Sequence, residues 1–234
     1  MKNLPGKWFF LLLVLLFPLH DIHALDITIT GAEIGFDFRP EYNRSFYYCQ
    51  DFAIFGSIEL NNRYMFKSGA ALGHVGEEFD IKAFFSGRFT PLVGKNLNLS
   101  LAYIHYSIPG YQMRSHSILP YVSWDGRWAG FALGTNLRFT GFFAEPALFE
   151  SMLSFSGYVN FLHNDRIVAG IKCANFYDFY AGNFGSYWFS IYGTLQLHKH
   201  WALFSELTIM QSGSVALSAT FYGFAYRGGV RFIW

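Results

Sequence analysis

The sequence is short of charge, of cysteine and of long apolar segments, and each shortage excludes a class of protein. Charged residues make up 14% of the 234 residues, too few to cover the surface of a soluble chain of this size. The two cysteines, Cys49 and Cys173, are too few for a disulfide scaffold. After residue 24 there is no uninterrupted apolar run of about eighteen residues, so the rest of the chain contains no predicted membrane-spanning helix.

The first 24 residues have the pattern of a secretory signal peptide. Lys2 and Lys7 precede the apolar run 8–17, and Ala24 supplies a small residue at the expected cleavage point. The run is too short to cross a bilayer as a helix. Cleavage would leave 25–234 as the mature domain, which loses two of 17 basic residues and one of 16 acidic residues and so becomes neutral. A neutral chain without a clustered basic surface does not predict nucleic-acid binding.

Aromatic residues are what the chain has in excess, at 21% of all positions. An exported chain that is apolar overall but has no spanning helix can satisfy its backbone in a membrane by closing a β-barrel. In such a barrel the hydrogen bonds run between strands, and apolar side chains face lipid at alternate positions. The composition therefore predicts an all-β, closed antiparallel transmembrane barrel.

Tight turns alternate with longer connections along the sequence, and twelve strands are predicted between them. Asn61–Asn62 and Asp125–Gly126 are two-residue hairpin turns. The predicted strands are 27–39, 46–60, 63–75, 79–91, 97–107, 118–124, 127–140, 151–162, 166–176, 187–197, 201–210 and 222–234. A parity change near Gly31 indicates a bulge in the first strand. The sixth strand contains Pro120, so a ten-stranded barrel is the alternative. An even number places both termini on the short-turn side, which is periplasmic in bacterial outer-membrane barrels.

The segment 222–234 alternates apolar and polar residues up to a terminal tryptophan. In this it resembles the closing strand of bacterial outer-membrane β-barrel proteins, and the resemblance extends over the whole mature sequence. It implies location in the bacterial outer membrane, contact with outer-membrane lipids, and recognition by the barrel-assembly machinery. The residues that fit the assembly signal are Tyr226, Val230, Phe232 and Trp234.

The less apolar face of each strand is predicted to line the lumen. Its charged residues are Glu33, Asp37, Arg39, Asp51, Glu59, Lys67, Asp80, Lys82, Arg88, Arg138, Lys172, Glu206, Arg227 and Arg231. If hydrated, this mixture lines a small porin that passes small hydrophilic solutes with a mild anion preference. If paired, with Arg227 and Arg231 bound to Asp37 or Glu33, it fills a non-conducting structural or surface-binding barrel. The sequence leaves both possibilities open.

An outer-membrane lipid hydrolase is the third function considered. His105 and Ser107 lie two positions apart on one strand face, which is predicted to point to lipid. This resembles the His-x-Ser pair of outer-membrane lipases, in which the imidazole takes the serine proton. The flanking outward faces are predicted to offer only Phe85, Phe89 and Tyr121, so no group is available to orient the histidine. We therefore expect no enzyme activity.

No cofactor or metal site is predicted. His198 and His200 are two possible ligands in an exposed turn, which is a poor metal site. Cys49 is predicted to face inward and Cys173 outward, so no disulfide is expected between them.

Overall fold

The computed structural model describes residues 27–43, 47–75, 78–93, 96–110, 112–142, 148–175, 186–212 and 220–234. The predicted signal peptide lies outside these ranges and remains a prediction. The described residues contain no helix of the length and apolarity needed to cross a membrane.

Twelve antiparallel strands close into a barrel, as the alternation predicted. They are β1 Ile29–Asn43, β2 Tyr47–Leu60, β3 Tyr64–Val75, β4 Glu78–Val93, β5 Leu97–Ile108, β6 Met113–Asp125, β7 Ala129–Phe142, β8 Leu148–His163, β9 Ile167–Ala174, β10 Ser186–His198, β11 Trp201–Ser212 and β12 Thr220–Ile233. Each strand pairs with its sequence neighbours, and β1 pairs with β12 to close the sheet. With no sheet edge left, the backbone groups of the strands can all pair.

The predicted Asn61–Asn62 turn and the bulge in β1 occur where they were predicted. Asn61 and Asn62 form the β2–β3 turn with φ of 54° and 55°, the left-handed conformation that asparagine tolerates. The register of β1 against β2 shifts between Ile29 and Gly31, which is the predicted bulge.

The two-residue turn predicted at Asp125–Gly126 is wrong. Asp125 pairs with Gly130, and the Gly126 N–H donates to the Ala129 carbonyl, which leaves 127–128 as the turn.

The sixth strand exists despite Pro120, so the ten-stranded alternative is wrong. β6 also begins earlier than the predicted 118, at Met113. Its pairs with β7 run from Ile118↔Leu137 to Tyr121↔Gly134 in an unchanged register, with no pair at Pro120 itself. A proline has no N–H to donate, so the ladder loses a bond there without slipping.

The two faces of the sheet differ in chemistry. Large apolar side chains such as Phe36, Phe52 and Ile191 are exposed on the outer face. The inner face carries the buried polar residues and a small apolar core, formed by Phe55 and Phe84 with Tyr106 packed against them. The barrel therefore presents an apolar exterior and a polar, partly aromatic interior.

Candidate functional site

The barrel interior holds nearly all the charge of the strands. Among strand residues whose side chains the structure describes, every charged residue except Arg114 has inward register. This set is Glu33, Asp37, Arg39, Glu41, Asp51, Glu59, Lys67, Lys82, Arg88, Asp125, Arg138, Glu150, Lys172, Glu206, Arg227 and Arg231. The candidate site is therefore the inner wall, and its chemistry depends on how these charges are arranged.

Asp37 is bound by two arginines from two strands. Its Oδ2 accepts a hydrogen bond from Arg39 Nη2 at 2.6 Å and another from Arg227 Nε at 2.6 Å. The Asp37 side chain is fully buried, whereas those of Arg39 and Arg227 are 26% and 23% exposed. One carboxylate thus lies beneath two guanidinium groups, and the surface above it is cationic.

Three more ion pairs lie on neighbouring strands. Lys82 Nζ contacts Asp51 Oδ2 at 2.6 Å, and Arg231 Nε lies 3.2 Å from Glu33 Oε1. Arg88 Nη2 and Glu59 Oε1 are 3.5 Å apart at a more exposed position. These pairs and the Asp37 cluster all belong to β12, β1, β2, β3 and β4, which we call the charged sector of the wall.

Phenylalanine rings support the cations of the charged sector. Phe55 lies directly opposite Gly35, and Phe204 directly opposite Gly229. In each pair a side chain in place of the glycine would collide with the ring. The ring therefore lies flat across the glycine and along the wall. Phe84 and Gly69 repeat the arrangement on β4 and β3.

The flat rings present their faces to the cations. Arg231 Cζ lies 4.1 Å from the Phe204 ring centroid, and Lys67 Nζ lies 4.7 Å from that of Phe55. Arg39 Cζ lies 5.9 Å above Phe84. A cation within about 6 Å of an aromatic face is attracted by the ring quadrupole. The rings thus hold long, flexible side chains against the wall.

The opposite sector of the wall, from β5 to β11, carries mostly hydroxyl and amide groups. Ser190 and Thr208 are hydrogen-bonded at 2.9 Å, and the Tyr192 hydroxyl donates to Asn160 Oδ1 at 2.5 Å. Arg138 lies in this sector, where its Nε donates to Ser115 and Thr140. The interior is thus divided into a charged wall and a largely neutral polar wall.

The predicted pore-lining residues with described side chains all have inward register. The structure brings Asp37, Arg39 and Arg227 together and pairs Asp51 with Lys82 and Glu59 with Arg88. Arg138 and Lys172 lie apart from these groups, on β7 and β9, whereas Glu206 on β11 lies directly opposite Arg227. The side chain of Asp80 lies outside the described residues.

The sequence analysis missed two kinds of inward residue. Glu41, Asp125 and Glu150 also have inward register, so the described strands carry eight acidic and eight basic inward residues, and the predicted basic excess is wrong. The rings of Phe55 and Phe204 were also missed, because apolar residues were assigned to the lipid side. Parity would have revealed them, because Phe55 shares the parity of Asp51 and Glu59, and Phe204 that of Glu206.

His105 and Ser107 face outward on β5, as predicted, but they do not assemble a catalytic pair. No hydrogen bond joins them in the described part of the chain. The His105 ring instead packs on His116 of β6, with centroids 4.6 Å apart. Tyr121 was predicted to face outward, and this was wrong: it faces inward, opposite Ser100. The outward neighbour of His105 is therefore another imidazole, which does not replace the carboxylate of a triad.

Cys173 has the outward register predicted for it and is a free thiol, whereas the side chain of Cys49 is not described. In the part of the chain that the structure describes, no three His, Cys, Asp or Glu residues are grouped as metal ligands.

No protein-family model matches the chain, and no curated protein sequence does. Its fold is similar to solved barrels of outer-membrane porins. The KdgM porin in complex with disordered oligogalacturonate superposes with a TM-score of 0.57 at 10% identity, covering 85% of this chain and 98% of that one. The NanC porin gives a TM-score of 0.55 at 10% identity, covering 84% and 98%. The COG4313 outer membrane channel from Pseudomonas putida F1 gives 0.52 at 8% identity over the whole of both chains. The predicted fold, the closed barrel of bacterial outer-membrane proteins, is confirmed.

Proposed function

We propose that the chain is a channel of the bacterial outer membrane that passes small hydrophilic solutes and modestly prefers anions. The apolar exterior fits the hydrocarbon of a bilayer, and the polar interior fits a path for water and solutes. The porin-like fold supports this location and function. The orientation with both termini in the periplasm and the assembly signal at Tyr226, Val230, Phe232 and Trp234 belong to the same proposal.

The burial of Asp37 beneath Arg39 and Arg227 carries the anion preference. The described strands carry equal numbers of inward acidic and basic residues, so counting these residues predicts no selectivity. The exposure of the side chains does predict an anion preference. A solute that moves along the charged sector meets the guanidinium groups of Arg39 and Arg227, whereas the Asp37 carboxylate beneath them is shielded. Guanidinium groups bind carboxylates and phosphates through paired hydrogen bonds. The KdgM structure was solved with an acidic oligosaccharide, and we propose acidic hydrophilic solutes for this chain as well.

A non-conducting barrel is the second candidate, and one observation favours it. Several inward polar side chains are almost completely buried, with Ser117 and Ser154 at 1% exposure and Asn136 at 2%. Part of the neutral sector is therefore covered by other protein groups. A barrel whose interior was filled in this way would serve a structural or surface-binding role.

Recording from single molecules in planar bilayers distinguishes the two functions. We expect the purified, folded chain to give steady open steps with a reversal potential on the anion side in a salt gradient. The preference should fade as salt rises, because screening shortens the reach of the charges to about 10 Å at 0.1 M and about 3 Å at 1 M. Folded protein that inserts without conducting would refute the channel and support the filled barrel.

A further inference from the structure

Arg114 is the exception to the charge distribution of the barrel. Among strand residues with described side chains, it is the charged residue with outward register, and it is exposed. It is the second residue of β6, close to the connection 109–112 that follows β5. A charge on the lipid face is costly at the bilayer centre and much less so at the interface. The level of the lipid headgroups is therefore the position at which an outward Arg114 costs the least free energy.

Polar groups surround Arg114 on the same outer surface. Ser107 lies directly opposite it on β5, and His105 and His116 form the next outward-facing pair of the ladder. The Tyr103 hydroxyl and His116 Nδ1 are hydrogen-bonded at 2.8 Å. We call these five residues, Tyr103, His105, Ser107, Arg114 and His116, the rim cluster.

In the described strands, none of the outward positions opposite the rim cluster on β4 and β7 carries a carboxylate. The outward residues opposite His105 and His116 are Phe85 and Phe139. Nδ1 of His105 is buried and has no hydrogen-bond partner among the described residues. An arginine, two imidazoles and two hydroxyl groups are thus arranged together at an apolar surface, where an anionic group would complement them.

We propose that the rim cluster binds the phosphate group of a lipid in the outer leaflet. Arg114 contacts the phosphate through its guanidinium fork, and Ser107 and the histidines donate further hydrogen bonds. The acyl chains lie along the apolar outer face of the barrel, and Phe85 and Phe139 are the apolar residues of that face next to the rim cluster. This site lies outside the barrel and goes beyond the proposed channel, although it rests on the location in the outer membrane.

Native mass spectrometry of the refolded full chain in detergent tests the site. The probe is lipid A with two phosphates, compared with the same lipid after enzymatic removal of the phosphates. We expect Arg114→Gln to weaken binding of the phosphorylated lipid by about tenfold, which corresponds to about 1.4 kcal/mol. The double variant His105→Gln/His116→Gln should weaken it in the same direction. Arg63→Gln removes an exposed arginine from the turn at the other end of the barrel and serves as the charge-matched control.

Heat-modifiable migration on gels first shows that every variant is folded, so that weak binding is not confused with failed folding. Equal binding by the Arg114→Gln and Arg63→Gln variants would overturn the proposal. So would equal binding of the dephosphorylated lipid to the unsubstituted chain. Displacement of the lipid by an equal concentration of inorganic phosphate would show a free-phosphate site and also contradict it. Loss of conductance has no bearing on these outcomes, so the channel and the lipid site can fail independently.

Discussion

Arg227 on the last strand donates to Asp37 on the first, with Nε 2.6 Å from Oδ2, across the seam that closes the barrel. The two residues are 190 positions apart in sequence. Arg231 and Glu33 make a second contact across the same seam at 3.2 Å. Because β1 and β12 are the pair that must meet for the sheet to close, these contacts add side-chain attraction to the backbone ladder at that seam.

Replacing Asp37 by asparagine should destabilise the barrel. The substitution leaves Arg39 and Arg227 close together without the carboxylate between them. We expect the free energy of unfolding to fall by about 3 kcal/mol, the lower end of the range for a broken buried pair, because water reaches both guanidinium groups. Urea unfolding of the protein in lipid vesicles, followed by tryptophan fluorescence, measures the change.

Glu59→Gln is the matched control for that experiment. Glu59 pairs with Arg88 at 3.5 Å, and both side chains are about one-third exposed. Exposed pairs contribute about 0–1 kcal/mol, so this variant should unfold almost as the unsubstituted chain does. Equal destabilisation by the two substitutions would contradict the special position assigned to Asp37.

Replacing Arg227 and Arg231 by glutamine should move selectivity toward cations. The substitution removes two guanidinium groups from the charged sector and leaves Asp37 bound to Arg39 alone, while Glu33 loses its arginine. Both carboxylates would then act on the solute path with less compensation. We expect the reversal potential in a salt gradient to shift to the cation side, with some loss of stability.

Arg63→Gln is the control here as well, since it removes a charge that lies on a turn outside the interior wall. It should leave the reversal potential unchanged. If the channel is anion-selective and its reversal potential does not change on substitution of Arg227 and Arg231, these residues do not face the solute path.

The alternation of residues predicted the fold and most of the charged wall. Side chains alternate between the two faces of a strand with a period of two. Once one charged residue is assigned to the inner face, the charged residues of the same parity on that strand are assigned to the inner face as well. The sequence could therefore name the residues on both sides of the seam. Arg227 and Arg231 on one side and Asp37 and Glu33 on the other are the residues of the alternative in which the charges are paired. Whether they are paired or hydrated depends on side-chain geometry, which alternation does not specify.

Alternation gave a wrong assignment of faces where both alternating sets of residues in a strand are apolar. In the segment around Pro120, Leu119 and Tyr121 alternate with Ile118, Pro120 and Val122, so either set could face lipid. Tyr121 was assigned to the wrong side for this reason. The earlier start of β6 resolves the ambiguity, because Ser115 and Ser117 share the parity of Tyr121 and are buried inside. His116 then falls on the outer face, where the rim cluster could not be recognised while β6 was thought to start at residue 118.

The glycines opposite the inward phenylalanines were equally hidden, because which residues face each other depends on register rather than on parity. Gly35 lies opposite Phe55, whose ring is 2% exposed and occupies the space where a side chain at position 35 would be. Gly35→Ala should therefore push the Phe55 ring away from the wall and toward the barrel axis. We expect lower single-channel conductance and a loss of about 1–3 kcal/mol in unfolding free energy, as for other overpacked sites.

Two further variants determine whether the ring causes the effect. Gly56→Ala adds the same methyl group to the adjacent strand, where the nearest atom, the Glu33 carbonyl oxygen, would be 3.8 Å away. Nothing has to move there, so conductance should stay as in the unsubstituted chain. Adding Phe55→Leu to Gly35→Ala replaces the ring by a smaller side chain and should restore most of the conductance. The Phe55 ring also has Arg231 Cζ 5.8 Å from its centroid, beside Lys67 Nζ at 4.7 Å. If Gly35→Ala conducts as Gly56→Ala does, Phe55 does not limit the passage, and the flat ring serves only to hold Lys67 and Arg231 against the wall.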